Sequence, residues 1–349
     1  MILICAKDDD PHAIAVGARL RERHGQEVFV FDTSRLPALV SLTATFGGGN
    51  GSGAWHGEYE LTALDSGQRV RLDEVTAIWW RRPQPMDIDP GITDPTKRHF
   101  TMQECISALY GVLACCDTLW INDLKNDVLA DHKPYQLKVA GELGFHIPQT
   151  VITSDPDRAV GFWRERRGSV VYKAFNQRGL VWCPTRLLTE EDLTAIANVR
   201  YAPVIFQSLV PGIRDVRITA IGGELIATEF DIERPGTLDY RLSIMELSCR
   251  PHVLPPDVQE RLRRLMDVLG LEYGGIDLRL TADGTYVFFE INTAGEFMYL
   301  EDRTGQPIAD VMAARLAEGV RHGARRADLP AYGAPVASAA ASVPVRGGV

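Results

Sequence analysis

The sequence predicts a mixed α/β fold assembled from subdomains, on three observations. It opens with a strand–helix–strand pattern, "MILICAKDDDPHAIAVGARLRERHGQEVFVFDTS"; its middle alternates short apolar strands with capped helices; and its later part carries long β-rich stretches around a turn at Asp283-Gly284. At 349 residues the chain is long enough for a large core and roughly two to three domains.

Composition narrows the function classes. Hydrophobic residues at 45% and charged residues at 24% are ordinary for a soluble globular protein. A net charge of -9 argues against nucleic acid as the main partner, because neutralising phosphates needs a basic face. It also means that an acidic substrate must be met by local arginines against an unfavourable overall field. The six cysteines (Cys5, Cys105, Cys115, Cys116, Cys183, Cys249) show no C-x-x-C spacing and read as reduced thiols in the cytoplasm. "ILICA" before "KDDD" is too short for a signal peptide, and no apolar run approaches the ~20 residues of a membrane span.

Taken in order, the opening unit is βαβ. "GGGNGSG" at 47–53 is followed by no G-K-[ST] and opens no helix pattern, so it reads as a flexible linker rather than a phosphate loop. "LTALDSGQRVRL" reads as a hairpin, "VTAIWWRRP" as a buried strand leaving the core at Arg81 and Arg82, and residues 97–117 as a helix. A new unit begins near residue 125 with a helix ending at Gly144 and the strand "IPQTVIT". "SDPDRAVGFWRER" and "LTEEDLTAIA" are helices with caps and early acids, so Asp155, Asp157, Glu190, Glu191 and Asp192 are helix-start residues and not catalytic pairs. "GSVVYKAF", "APVIFQSLVPG", "IRDVRITAIGGELIATEF" and "TLDYRLSIMEL" supply strands, and Pro256 and Gly270 bracket a helix. Beyond Arg326 the Ala, Pro, Ser, Val and Gly tail has no period and reads as disordered.

The stretch "YGGIDLRLTADGTYVFFEIN" carries the main chemical signal. A two-residue turn at Asp283-Gly284 sets Asp277 opposite Glu290, Arg279 opposite Phe288 and Gly275 opposite Asn292. Period two then puts Ile276, Leu278, Leu280, Phe289 and Ile291 on one face, with Asp277, Arg279, Glu290 and Asn292 on the other. Directly opposed carboxylates repel. Two readings stand: a wet face with the repulsion screened, or a site for Mg²⁺, which takes hard oxygen ligands and fills its sphere with substrate phosphates. Gly274-Gly275 favours the second by leaving space beside Asn292 for a ligand.

Upstream cations are ambiguous one by one. Lys173 in "VVYKAF" is either a surface lysine or a phosphate ligand facing a cleft; Lys133 in "ADHKPYQ" suits an ordinary helix start. "FQSLVPGIRDVRI" runs from a strand through a Pro-Gly connection into another strand, a segment able to offer backbone groups to an adenine. Asp215 and Arg217 form either an ion pair or ribose and phosphate contacts, and Arg241 in "LDYRL" stands alone among apolar residues.

Their order along the chain resembles the ATP-grasp superfamily over residues 120–320: Lys133 before "GFHIPQT", Lys173 in a strand, the "QSLV" hinge, "RDVR", then "GGIDLR" and "FFEIN". Within it, "AIWWRRP", "WINDLKNDVLADHKPYQLKVAGELGFHIPQT", "DYR" and "EINTAGEF" look like the ATP-grasp ribosomal peptide maturases, the microviridin-type macrocyclases or graspetide synthetases. The resemblance implies an ATP-grasp fold: a βαβ pre-ATP-grasp domain (1–125), a central subdomain (126–206), a C-terminal metal-binding subdomain (207–326) and a tail (327–349). It implies ATP and Mg²⁺ as cofactors. Asp277, Glu290 and Asn292 would hold metal; Lys133 and Lys173 would bind phosphates. Gln207, Ser208, Leu209 and Val210 would hold adenine, with Asp215 at the nucleotide, and Arg217, Arg241 and Arg279 would clamp the transferred phosphoryl group and substrate carboxylate. Two features depart from the pattern: "NQRGLVW" after Lys173 has one glycine where many relatives have a glycine-rich lid, and the hinge begins with Gln207 where many have Glu.

The implied reaction is ATP-dependent activation of Asp or Glu side chains of a precursor peptide, closing ω-ester or ω-amide rings. The implied partner is that peptide, a leader plus an acidic, Thr-rich core, with leader contacts expected in 226–250. A homodimer is the expected assembly, with neither membrane nor nucleic acid as partner. The alternatives are a ligase joining an amino acid to a small acid or protein tail, and a non-catalytic nucleotide-binding module.

Overall fold

A computed structural model describes residues 1–47, 57–175, 184–232 and 247–319. Most of the "GGGNGSG" stretch, residues 176–183, nearly all of "TLDYRLSIMEL" with Arg241, and the 327–349 tail lie outside the described residues.

The first unit follows the sequence closely. Strand β1 (Ile2–Cys5), helix α1 (Pro11–His24) and β2 (Val28–Phe31) form the expected βαβ. Asp10 caps α1 by accepting from the N–H groups of His12 and Ala13, Pro11 starts it, and Gly25 ends it at φ 61°. After β3 (Val40–Phe46), β4 (Gly57–Ala63) and β5 (Arg69–Arg71) come β6 (Ala77–Trp79), α2 (Pro95–Leu113) and β7 (Leu119–Ile121). Strands β2-β1-β6-β7 make one parallel sheet, and β3-β4-β5 a separate antiparallel one. Arg81, expected to leave the core, is 1% exposed; loop carbonyls supply the acceptors that make its burial tolerable.

From residue 124 the chain forms two helices where the sequence suggests one: α3 (Leu124–Ala130) and α4 (Lys133–Glu142). Pro134 in the first turn of α4 explains the break, since it can start a helix but not continue one. Then follow β8 (Thr150–Thr153), α5 (Pro156–Glu165), β9 (Val170–Lys173), β10 (Arg186–Leu187) and β11 (Val204–Ser208), in sheet order β10-β9-β11-β8. Asp155 caps α5 as expected. The "LTEEDLTAIA" region is instead a 3₁₀ segment, Asp192–Tyr201, whose Thr194, Ile196, Asn198 and Val199 are weak α-formers.

The largest sheet contains β12 (Arg214–Ile221), β13 (Glu224–Asp231), β14 (Cys249–His252), β15 (Tyr273–Leu280) and β16 (Tyr286–Asn292), ordered β14-β13-β12-β15-β16. Between β14 and β15 runs α6 (Pro256–Leu269), which buries Val258, Leu262, Leu265 and Leu269 on one stripe. Helices α7 (Met298–Thr304) and α8 (Ile308–Glu318) follow. Ile308, Met312 and Leu316 of α8 share a core with Ile2, Ile4, Leu20 and Trp79, so the N-terminal sheet is sealed by the last described helix. Arg19 Nε also bonds Asp310 at 3.1 Å. Among the described residues no helix is long and apolar enough to cross a membrane.

Candidate active site

The hairpin β15–β16 places its polar residues by two compensating irregularities. The turn is a three-residue loop rather than a two-residue one: Thr281 N bonds Thr285 O, Gly284 N bonds Thr281 O, and Gly284 is left-handed at φ 85°. That pairs Leu280 with Tyr286, Arg279 with Val287 and Leu278 with Phe288. A bulge then absorbs one extra residue, Phe289, and restores Asp277 opposite Glu290 and Gly275 opposite Asn292. Two expectations are corrected by this. Arg279 faces Val287, not Phe288. Phe288, not Phe289, lies in the apolar core with Ile276, Leu278 and Ile291, while Phe289 turns to the polar side, its ring 5.2 Å from the Arg279 guanidinium carbon.

The repulsion between Asp277 and Glu290 is answered by their neighbours. Arg217, opposite Asp277 on β12, donates from Nη1 to Asp277 Oδ2 at 3.0 Å and to the Gly275 carbonyl at 3.1 Å. Glu290 Oε2 accepts from Lys133 Nζ at 2.6 Å and lies 3.7 Å from Lys173 Nζ. Lys173 is 8% exposed, and its strand belongs to the other sheet, so the cleft lies between two sheets. Lys133 reaches it from the first turn of α4. One turn on, Gln136 anchors the same helix, bonding the carbonyls of Ala130 and Ile291 and the Ile291 N–H. It thereby covers the open edge of β16.

Asp215 and Arg217 do not pair with each other. Cross-strand neighbours approach more closely than residues two apart on one strand, and Asp215 faces Arg279. Arg279 donates from Nε (2.7 Å) and Nη2 (2.9 Å) to Asp215 and from Nη1 to the Val210 carbonyl at 3.0 Å. The guanidinium expected to face a phosphoryl group is thus turned onto the hinge. Gln207 is 3% exposed and bonds Thr150 Oγ1 at 3.0 Å; with Ser208, Leu209 and Val210 it lines the same cleft as Lys173, Asp277 and Glu290. Asn292 sits beside the cleft in the strand order, its Oδ1 accepting from Ala294 N at 3.1 Å. Arg241 and positions 233–246 of the expected leader contact lie outside the described residues.

Gly275 has a different use from the one expected. A Cβ there would lie 2.1 Å from Arg217 Nη2, and one at Gly295 would lie 2.3 Å away. The bare strand makes room for Arg217, not for a ligand. Gly274 faces Ile291 in the core.

A divalent metal fits this donor set in a particular way. Among the described residues no three His, Cys, Asp or Glu side chains cluster as a metal cage. Two carboxylates and an amide beside two lysines suit a hard cation that draws its other ligands from phosphate and water.

Sequence reasoning missed His12, Arg81, Asn122, Gln136 and Phe289. Arg81 was visible only as the first arginine of "WWRRP", and Asn122 only inside "WINDL".

Comparison with known proteins agrees with the fold. Residues 1–128 match the family described as the MvdD pre-ATP grasp domain. The macrocyclase MdnC of Microcystis aeruginosa MRC, solved with precursor peptide MdnA, is 28% identical, with a TM-score of 0.80 over 91% of this chain and 99% of that one. A RiPP-associated ATP-grasp ligase of Chryseobacterium gregarium, solved with ADP and a leader and core peptide, is 27% identical with a TM-score of 0.79, covering 91% and 96%. The ATP-grasp ligase PsnB, solved with a phosphomimetic variant of its minimal precursor, Mg and ADP, is 25% identical with a TM-score of 0.72, covering 91% and 97%. A curated relative, β-citrylglutamate synthase B of Danio rerio, is 27% identical over 116 residues; the match spans 32% of this chain and only 28% of that protein. In its fold the chain is similar to RiPP-associated ATP-grasp ligases over nine-tenths of its length, and its N-terminal part matches the MvdD pre-ATP grasp domain.

Proposed function

We propose that this protein is an ATP-dependent ligase that activates Asp or Glu side chains of a ribosomally made peptide and closes ω-ester or ω-amide rings. One observation supports this above the others: Glu290, opposite Asp277, meets two lysines from two different elements, so hard oxygen donors and phosphate-binding cations share one cleft.

In this reading Lys133 and Lys173 bind the phosphates of ATP as compact point charges. Gln207 to Val210 receive the adenine, and Asp215 with Arg279 fixes that hinge through the Val210 carbonyl. Asp277, Glu290 and Asn292 would hold Mg²⁺, which when bound neutralises phosphate oxygens. A substrate carboxylate oxygen attacks the terminal phosphorus, ADP departs, and an acyl phosphate forms. A Thr or Ser hydroxyl, or a Lys amine, of the same peptide then attacks the acyl carbon and phosphate leaves. The peptide loses one water per ring. Arg217 is our candidate for stabilising charge on the transferred group, and Arg241 for holding the substrate carboxylate. We place the enzyme in the cytoplasm as a homodimer, which light scattering tests.

The decisive experiment incubates the protein with ATP, Mg²⁺ and the peptide encoded beside its gene. Loss of one or more waters supports cyclisation. A mass gain instead supports a ligase joining an amino acid to an acid, the reading favoured by the likeness to β-citrylglutamate synthase B. Peptide of unchanged mass with no phosphate release sinks both in favour of a binding module.

A further inference from the structure

Three strand ends of the parallel sheet converge on one loop. The carboxyl ends of such strands usually border a ligand crevice; here that space is filled by the chain's own residues 293–298. From beyond β1, His12 Nε2 accepts the backbone N–H groups of Phe297 (2.9 Å) and Met298 (3.2 Å). From beyond β6, Arg81 Nη1 donates to the carbonyls of Ala294 (2.6 Å) and Gly295 (3.3 Å). From beyond β7, Asn122 donates to the carbonyls of Tyr273 (3.0 Å) and Thr293 (3.3 Å). All three side chains are buried, and the loop they grip begins directly after Asn292, whose Oδ1 takes the Ala294 N–H.

The contacts favour one tautomer of His12. Two backbone amides, which can only donate, face Nε2, so Nε2 is the acceptor and the ring proton of neutral His12 sits on Nδ1. Nδ1 lies 3.6 Å from Asp10 Oδ1; Arg81 Nη2, itself a donor, approaches it at 3.1 Å, a donor–donor contact in this tautomer. Glu296 on the loop adds a more distant negative charge, and the Tyr273 hydroxyl donates to Gly295 O on the far side. A second proton would land on Nε2, facing two N–H donors and adding charge beside Arg81. Burial chiefly holds His12 below the ordinary imidazole range; Asp10 opposes this and the Arg81 charge reinforces it.

We propose that neutral His12 is a positioning residue for the reaction: it and Arg81 fix the backbone of 293–298, and through that loop the orientation of Asn292 at the end of the metal-binding strand. The proposal rests on the reaction assigned above. Its pH dependence has a definite sign. The grip is complete above the ordinary imidazole value of about 6.5 and is lost as pH falls through the lower value His12 has in the folded protein.

The test compares wild type with His12→Gln, which offers a non-titrating acceptor, and His12→Phe, which keeps a ring and offers none. Hydrogen exchange of peptides spanning 293–298, corrected for intrinsic rates, is read alongside the pH profile of peptide dehydration. Wild-type exchange should rise roughly tenfold on the acid side, with kcat falling over the same interval. His12→Gln should flatten that limb in both readouts. His12→Phe should exchange fast at every pH. Slow exchange in His12→Phe, or an unchanged acid limb in His12→Gln, overturns the proposal. Exchange is read without turnover: if it behaves as expected and no peptide is dehydrated, the grip on the loop stands and the assigned reaction fails.

Discussion

The two faces of the five-stranded sheet are made by the same strands and have opposite chemistry. One face carries Val216, Ile218, Ile276, Leu278, Phe288 and Ile291, which join α4 and α6 in an apolar core. The other carries Asp215, Arg217, Asp277, Arg279 and Glu290, all buried; Arg279 meets Asp215 and Arg217 meets Asp277 across strands, while Glu290, opposite Asp277, is met by Lys133 and Lys173. The apolar face is stabilised by area and tolerates changes of equal volume. The polar face is stabilised only as a set, because a buried charge without its partner is costly. Strand alternation alone builds both, and one bulge keeps them in phase.

Breaking the polar face should give the largest effect on activity. Glu290→Gln is expected to lower peptide-dependent phosphate release by about 10²–10³-fold, measured in steady state at saturating ATP. Its urea midpoint should fall less than that of the matching change on the other face. Phe288→Ala is that change: it should cost about 3–5 kcal/mol in urea unfolding, while the folded fraction retains its turnover. Equal stability losses from the two variants would dissolve the distinction between the faces.

Phe289 sharpens the comparison. Because it is the residue absorbed by the bulge, deleting it leaves Phe288 opposite Leu278 and Glu290 opposite Asp277. The deletion should therefore fold with the same pairing, losing mainly the contact with Arg279, about 0.5–1 kcal/mol. If this single-residue deletion unfolds the protein, the bulge does more than adjust register. The smallest effect is expected from a charge on neither face: Lys138→Ala, which removes the exposed pair with Glu142, should change the unfolding free energy measured in urea by only about 0.3–0.5 kcal/mol.

The same contrast explains how much could be read in advance. The βαβ opening, the helix start at Asp155, the bracketing of α6 by Pro256 and Gly270 and the opposition of Asp277 to Glu290 are local, set by caps, periods and turn chemistry. The last came out right although two steps were off by one residue each: the loop is longer than expected, and the bulge cancels the error. What escaped is set by packing between distant segments. Nothing near Arg81 announces the Ala294 carbonyl 213 residues away, and nothing near Gly275 says that its missing side chain makes room for Arg217. Arg279 looked like a phosphate clamp because its partner lies across the sheet, not along the strand.

Helix α8 sealing the core around β1, β6 and α1 has a consequence for synthesis. The ribosome delivers the parallel sheet first, yet Ile2, Ile4 and Trp79 obtain their cover from Ile308, Met312 and Leu316, almost the last described part to emerge. During translation the first sheet must wait with an apolar flank uncovered, a state prone to aggregation. The first sheet is completed only once α8 has been made, so residues 1–125 made alone should be poorly soluble and recover when a 298–319 segment is supplied.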